Sequence, residues 1–415
     1  MTQTLALLGG KPLRTRPFTS WPIHNKSEER SLMRTLRSGN WGRLQGQEVA
    51  NFEKRFAAAH GCEHGIAVVN GTVSLRIGLL AAGIQAEDEV IVPPYTFLST
   101  ASAVIESNAV PVFADIDLHT FNLDPKAVEA AITPRTKAII PVHFAGQPAD
   151  MDGIMAIAKK HNLLVIEDAA HAHGASYQDR PAGSIGHLGS FSFQSSKNMT
   201  AGEGGIITTN DETLAEACRS IQSCGRIPSG PWYEHHVISG NYRLGEFQGA
   251  ILSCQLDRLE DQTKRRDRNG QYLAAKLSRF PGIFPQQRPS DCTRHSYHLM
   301  MLRVEAEHFG VSRDTLVEAL CAERIPCSAG YAYSLPQQPI FENKAFGPYI
   351  PKATARLKFN KVRCPNSDLI CKEQCVWLGQ NIFLGQRKDM DDIADAFKKI
   401  YEQRQTLNAK FPSNP

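Results

Sequence analysis

The first half of the 415-residue chain alternates short apolar runs with helical stretches. Such alternation is typical of βαβ units and predicts an α/β fold, a mostly parallel sheet with helices on both faces. Ligands are expected at the carboxyl ends of its strands. The predicted strands are Ile66–Val69, Val90–Val92, Pro111–Ala114, Ala138–Val142, Leu163–Ile166 and Ile206–Thr208. The predicted helices are Glu48–His60, Val73–Ala82, Pro125–Ala131, Asp152–His161 and Glu212–Ser220.

The second half of the chain follows a different pattern, which predicts a second domain. A loop-rich stretch separates its last two elements and ends at Pro365. We expect a large domain over residues 1–260, a smaller C-terminal α+β domain over 261–407 and a disordered tail over 408–415. The predicted elements are a long helix Phe247–Leu277, a strand His298–Val304, a helix Arg313–Ala322 and a final helix Met390–Arg404.

Composition excludes several classes of partner. The net charge is only +4, from 46 basic and 42 acidic residues, so neither a nucleic acid nor a membrane surface is predicted as a partner. No apolar stretch approaches membrane-spanning length. The ten cysteines include no Cys-x-x-Cys pair, and adjacent His235 and His236 have no third ligand at helical spacing, so no metal site is expected. Free thiols favour a reducing, cytoplasmic location.

One segment, Gly189 to Gly205, combines a hydroxyl, an amine and a glycine-rich turn. Ser192 and Lys197 lie five positions apart, and the turn follows directly. A pyridoxal 5′-phosphate (PLP) enzyme needs these groups, because a lysine forms a Schiff base with the cofactor aldehyde and a hydroxyl helps to hold the phosphate. Taken alone, the segment also fits an ordinary surface loop.

An apolar run from Leu163 ends in two acids, Glu167 and Asp168. Asp168 is expected at the carboxyl end of a buried strand, where its carboxylate can pair with a pyridine nitrogen and keep the ring protonated. The alternative is that Asp168 caps the helix that follows. His171 would face the same side and could reach the phenolic oxygen of the cofactor, or it could lie outside the site.

Two further segments supply candidate cofactor contacts. Gly71 and Thr72 lie between a predicted strand and a helix start, where free backbone N–H groups and a hydroxyl bind a dianion. Tyr95 and Phe97 follow two prolines at the end of the next strand, and either ring could stack on a pyridine. Packing in the core is the alternative for both rings.

Taken together and in this order, the motifs resemble those of the DegT/DnrJ/StrS family of sugar aminotransferases, which are fold type I PLP enzymes. The resemblance extends from about Leu5 to about Ile400. The motifs that carry it are Asn70-Gly71-Thr72, Pro94-Tyr95-Thr96-Phe97, Pro141 to Gly146, Glu167 to Gly174, Ser192 to Gly205 and Asn241-Tyr242-Arg243.

This resemblance implies a role for each matching residue. It implies that Lys197 is the Schiff-base lysine, that Asp168 pairs with the pyridine nitrogen and that Phe97 stacks on the ring. His171 stands where many members carry Gln. The implied phosphate ligands are Gly71, Thr72, Ser192 and, donated from the neighbouring subunit, Asn241.

A homodimer with shared active sites follows from that last assignment. The segment Ser229–Asn241 is then expected to be an arm that crosses to the partner. Alternatively, Asn241 binds within its own chain or caps the following helix.

The expected substrate class rests on segments whose similarity is weaker than that of the cofactor motifs. Segments at Leu8–Pro12, Cys364–Ser367 and Val376–Gly379 resemble scyllo-inosose aminotransferases and 3-amino-5-hydroxybenzoate synthases. We therefore expect transfer of an amino group from glutamate or glutamine to a keto-sugar or keto-cyclitol. Ser296, Tyr297 and His298 offer hydrogen-bonding groups for a polyhydroxylated ring, or they are structural.

Three other functions compete with this expectation. An aromatising dehydration of the aminohydroxybenzoate type uses the same lysine chemistry and stays open. A dehydratase of this fold is disfavoured, because its known relatives replace the lysine with histidine. A PLP-binding regulator without enzymatic activity would normally need a DNA-binding domain, and the chain has no spare length for one.

Overall fold

In a computed structural model of the chain, residues 4–227, 230–231, 233–350, 352 and 356–411 are described. A seven-stranded sheet forms the centre of the larger part, with the order β1-β9-β8-β5-β4-β2-β3. The strands are β1 (His64–Val68), β2 (Glu89–Val92), β3 (Val110–Phe113), β4 (Thr136–Ile139), β5 (Leu164–Asp168), β6 (Ser176–Tyr177), β7 (Arg180–Pro181), β8 (Leu188–Ser192), β9 (Gly205–Thr209), β10 (Ile283–Pro285), β11 (Leu299–Val304), β12 (Cys327–Ser328) and β13 (Cys375–Gly379).

The sheet is mostly parallel, as predicted. The pairs β2–β3, β2–β4, β4–β5 and β5–β8 are parallel, and β9 runs antiparallel to both β1 and β8. Strands β1, β2, β5, β8 and β9 are almost entirely buried, because the sequence places apolar or small residues on both faces. The carboxyl ends of β1, β2, β5 and β8, which run in one direction, bring distant segments together at one edge of the sheet.

The α-helices cover this sheet and build the second part of the molecule. They are α1 (Lys26–Ser38), α2 (Glu48–Ala59), α3 (Gly71–Ala81), α4 (Ser99–Glu106), α5 (Pro125–Ala131), α6 (Met151–His161), α7 (Glu212–Gln222), α8 (Glu246–Leu277), α9 (Ala306–Phe309), α10 (Arg313–Ala322), α11 (Pro339–Glu342), α12 (Pro365–Leu369), α13 (Arg387–Glu402) and α14 (Arg404–Lys410). Short 3-10 helices lie at Ala6–Leu8, Phe144–Gly146, Leu335–Gln337, Phe359–Lys361 and Gln380–Leu384, and a π-helical turn lies at Ile370–Gln374.

A smaller antiparallel sheet, β10-β11-β13-β12, organises the C-terminal part, in agreement with the predicted α+β pattern. Helix α8 joins the two parts. Leu252 and Leu259 pack with the aromatic core beneath the large sheet, whereas Leu273 and Leu277 pack in the C-terminal core. The domain boundary predicted at residue 260 falls inside this helix and stays a prediction.

Two predictions about the chain end were wrong. The final helix begins at Arg387 rather than Met390, and a second helix, Arg404–Lys410, follows it. Residues 408–410, expected in a disordered tail, are therefore helical, because Leu407 is buried in the C-terminal core and anchors the last turns. Residues 412–415 of that predicted tail lie outside the described residues.

Candidate active site

The end of β1 and the start of α3 form a close-packed turn against β8. Asn70 caps α3, its side chain accepting from the Val73 N–H at 2.9 Å. A Cβ added at Gly71 would lie 2.7 Å from the Ser192 Cβ, so only glycine allows this approach. The Thr72 hydroxyl lies 2.7 Å from the Ser99 hydroxyl at the start of α4. The start of a helix and three hydroxyls thus converge in a cradle suited to an anion.

Asp168, the last residue of β5, lies at the same edge of the sheet and is 6 % exposed. Its Oδ2 accepts from the Thr100 hydroxyl at 2.8 Å, and its Oδ1 accepts from the Ala170 N–H at 3.2 Å. Burial raises the pKa of Asp168 above its usual range, although these two bonds and the nearby Lys197 amine oppose the shift.

The neighbouring acid has a different role. Glu167 is completely buried and accepts from the His143 ring at 2.7 Å and from three backbone N–H groups, those of Gly183, Ile185 and Gly186. Burial alone would raise its pKa, but the His143 and backbone bonds bring the pKa below its usual value. Glu167 is therefore a structural carboxylate that braces the loop before β8.

Lys197 lies in the loop between β8 and β9, where its backbone N–H bonds the Gln194 carbonyl at 2.9 Å. Its amine makes no hydrogen bond or ion pair within the described part of the chain. Burial lowers the pKa of Lys197 to about 8, partly offset by the Asp168 charge. A substantial fraction of this amine is therefore neutral near physiological pH, which a nucleophilic lysine requires.

Two histidine rings pack beside this lysine. The His171 and His298 centroids are 4.2 Å apart. Asn198 donates through Nδ2 to the Ser296 carbonyl at 2.8 Å, which turns its Oδ1 towards His298 Nδ1 at 3.2 Å. His298 Nδ1 therefore carries the proton. Burial and the Lys197 charge hold the pKa of both histidines well below 6.5, so both rings are neutral.

The structure gives Ser296, Tyr297 and His298 different surroundings. Ser296 is fully buried and its hydroxyl donates to the His171 carbonyl at 2.8 Å. Tyr297 stacks on His295 at 3.9 Å and faces Gly270 of α8. Both are structural, and of the three only His298 lies within electrostatic reach of Lys197.

The two aromatic candidates are also separated by the structure. Tyr95 is 1 % exposed, and its hydroxyl donates to Cys375 Sγ and accepts from the Trp377 indole at 3.0 Å, so it is a core residue. Phe97 is 59 % exposed, which is unusual for a phenylalanine and leaves its ring free to cover a ligand.

Asn241 lies apart from the other candidates. It pairs with Ser223 in an isolated bridge, it is exposed, and within the described ranges its side chain accepts only from the Arg243 N–H at 3.3 Å. No contact among the described residues joins it to the cradle. Part of the Ser229–Asn241 segment, namely Ser229 and Trp232, lies outside the described residues. No cluster of metal ligands occurs in the described ranges.

Sequence reasoning missed several residues that surround the site. The Trp21 indole donates to the Ser195 carbonyl at 2.9 Å, close to Lys197. Arg266 is fully buried, bonds Gln380 and lies 5.3 Å from the Trp21 ring. No local pattern could indicate these contacts, which join positions more than a hundred residues apart.

Comparison with known proteins shows the family of the chain. Residues 23–395 match the model of the DegT/DnrJ/EryC1/StrS aminotransferase family. An L-glutamine:2-deoxy-scyllo-inosose aminotransferase of Streptoalloteichus tenebrarius is 36% identical, covering 98% of this chain and 99% of the relative. The 3-amino-5-hydroxybenzoate synthase of Amycolatopsis mediterranei is 38% identical, covering 91% of this chain and 96% of the relative.

A solved 3-amino-5-hydroxybenzoic acid synthase superposes with a TM-score of 0.84 at 36% identity, covering 94% of this chain and all of that one. The fold is that of the PLP-dependent aminotransferases. The chain therefore belongs to the DegT/DnrJ/EryC1/StrS aminotransferase family, and it is an enzyme, a transaminase. Within the described residues no helix is long and apolar enough to cross a membrane.

Proposed function

We propose that this transaminase binds PLP through Lys197 and transfers the amino group of glutamine or glutamate to a keto-cyclitol or keto-sugar. The observation that carries the proposal is the state of the Lys197 amine. It has no hydrogen-bond partner in the described structure, its pKa is lowered to about 8, and the Asp168 carboxylate lies nearby. A lysine beside a buried acid at the carboxyl edge of an α/β sheet is suited to that cofactor.

The residues present fit PLP. The cradle of Gly71, Thr72 and Ser192 would hold the phosphate, since a Cβ at Gly71 would collide with the Ser192 side chain that contributes to it. The exposed Phe97 ring would cover one face of the pyridine. His171 is buried and its Nδ1 lacks a partner among the described residues, so the ring has a free group for the phenolic oxygen.

The chemistry then divides between two residues of this chain. Bound PLP supplies an aldehyde and an electron-withdrawing ring. With the cofactor and an amino donor bound, the Lys197 amine would accept and return a proton as general base and acid. Asp168 would pair with the ring nitrogen and favour its protonated form. The neutral rings of His171 and His298 add no positive charge that would oppose the uptake of a proton by the Lys197 amine.

Asn241 completes the site only in a homodimer. Its side chain is exposed and makes no contact with the cradle in the described part of its own chain. We propose that it binds the phosphate in a second copy, so that each site contains residues of both subunits.

The substrate class follows from the relatives and from the polar groups beside Lys197. One relative is named for glutamine and an inosose, which favours glutamine as donor and a cyclitol as acceptor. His298 leaves its Nε2 lone pair to accept from a hydroxyl, because Nδ1 is held by Asn198. The second candidate is an aromatising activity, which the aminohydroxybenzoate synthase relative supports.

The test is a pair of half-reactions followed by absorbance. Glutamine or glutamate should convert the bound cofactor to its amino form, and scyllo-inosose, 2-deoxy-scyllo-inosose or a nucleotide-linked keto-sugar should restore the aldehyde. Pyruvate and oxaloacetate serve as controls. Restoration by the simple keto acids and by none of the ketones would overturn the proposed acceptor, and an aromatic product would favour the second candidate.

A further inference from the structure

Two threonine hydroxyls form a chain that ends on Asp168. The Thr100 hydroxyl donates to Asp168 Oδ2 at 2.8 Å, and the Thr96 hydroxyl lies 3.0 Å from the Thr100 hydroxyl. Thr96 is 4 % exposed and Thr100 is 1 % exposed, so both hydroxyls are shielded from bulk solvent. The position of Thr100 is fixed by the first turn of helix α4, which begins at Ser99.

The direction of this chain depends on the charge of Asp168. Each hydroxyl has a single proton. With Asp168 ionised, the Thr100 proton is committed to the carboxylate, and Thr96 must donate to Thr100. Protonation of Asp168 at Oδ2 would require both hydroxyls to reverse. The buried chain therefore stabilises the ionised carboxylate relative to the neutral acid.

We propose that Thr100, oriented by Thr96, is a positioning residue that keeps Asp168 ionised, so that the proton shared with the cofactor ring nitrogen stays on nitrogen. This inference rests on the proposed function. The direction of the effect follows from proton affinity. A bond donated to the carboxylate lowers the affinity of Asp168 for a proton, so the shared proton stays on the ring nitrogen. Without the hydroxyl, the proton equilibrium shifts towards Asp168 and the ring becomes neutral in a larger share of the molecules.

Other charged and titratable groups also act on Asp168 and must be held constant in a test. Lys197 comes from the loop after β8, and His143 comes from the turn after β4; both favour the ionised form. The phenol of Tyr331, from the segment after β12, also senses the charge of Asp168. Among the described residues, none of these groups forms a hydrogen bond with the Thr100 hydroxyl, so removal of that hydroxyl tests its bond to Asp168.

The experiment loads the full-length protein with PLP labelled with ¹⁵N in its ring and measures the ¹⁵N chemical shift, which reports the ring proton directly. Wild type and Thr100→Ser should show a protonated nitrogen. Thr100→Val should shift towards the neutral value and lose roughly 10- to 100-fold in kcat, the effect of one hydrogen bond to a charged group. Thr96→Val should give a smaller change of the same sign.

Two control variants and one set of replacement variants make the outcomes distinct. Asp168→Ala defines the unpaired ring. Thr35→Val removes a similarly buried hydroxyl from α1, where it donates to the Ser31 carbonyl at 3.1 Å, and should leave the shift unchanged. Thr100→Ala and Thr96→Val replace Thr100→Val if that variant does not fold.

A wild-type ¹⁵N shift in Thr100→Val or Thr100→Ala, with Asp168→Ala displaced, would overturn this inference and leave the proposed function standing. Failure of the wild-type protein to bind PLP would overturn both.

Discussion

Replacement of Lys197 by methionine should stabilise the apo protein, and the gain should depend on pH. Burial lowers the pKa of Lys197 from 10.5 to about 8, which corresponds to a cost of roughly 3 kcal/mol for the folded, protonated state. This is an upper value, because the side chain is only partly buried and solvent screens its charge. The cost is the energetic consequence of keeping a nucleophilic amine in the site.

The direction of this pH dependence follows from proton linkage. The unfolded lysine has its ordinary pKa, so the unfolded state binds more protons between the two values and stability rises with pH across that range. The cost is present in full below a pH of about 8 and disappears as the pH passes about 10.5. Lys197→Met should therefore gain up to about 3 kcal/mol at pH 7 and under about 1 kcal/mol at pH 10.

Equilibrium urea unfolding of the apo protein at both pH values, at one protein concentration, measures this difference. The matched control is Lys54→Met, which removes an exposed lysine from helix α2 and should show no such pH dependence. An equal effect of Lys197→Met at pH 7 and pH 10 would refute the argument that burial of this amine is costly.

Three further predictions concern the cradle, the shared site and the buried Glu167 carboxylate. Gly71→Ala should weaken PLP binding at least 10-fold, because the new Cβ would lie 2.7 Å from the Ser192 Cβ; a fluorescence titration with PLP measures this, and unchanged affinity would contradict the cradle. Inactive Lys197→Ala and Asn241→Ala chains, mixed and refolded together, should recover activity, since one hybrid site has both residues intact; confirmed hybrids without activity would place Asn241 in its own subunit. Glu167→Gln should destabilise the protein by about 3 kcal/mol in thermal unfolding, because a buried acceptor of four bonds is replaced by an amide, and a change under 1 kcal/mol would show that the carboxylate is not needed.

The strands of the large sheet were predictable where their composition was apolar. Pairing of β5 with β4 and β8 confirms the predicted buried strand and places Asp168 at its end. Strand β8, Leu188–Ser192, was missed because glycine and serine make its sequence resemble a loop. It forms because two neighbouring strands offer their backbone groups, so tertiary pairing outweighs its weak local propensity.

The site itself was predictable only where a residue type has few other uses. A lysine before a glycine-rich turn and an acid after a buried strand are informative. Thr100 and Trp21 are not, since their roles arise from the packing of α4 and of the N-terminal segment against Asp168 and Ser195. The sequence left open whether Ser296 and Tyr297 bind a ligand or are structural, because a buried hydroxyl can do either; their contacts in the fold favour the structural role.

The most direct test of the account is to reduce the PLP-loaded protein with borohydride and map the modified peptide by mass spectrometry. We expect the visible absorbance band to bleach and the phosphopyridoxyl group to be found on Lys197, with Lys197→Ala unlabelled. Labelling of a different lysine, or full transamination by the alanine variant, would contradict the central claim.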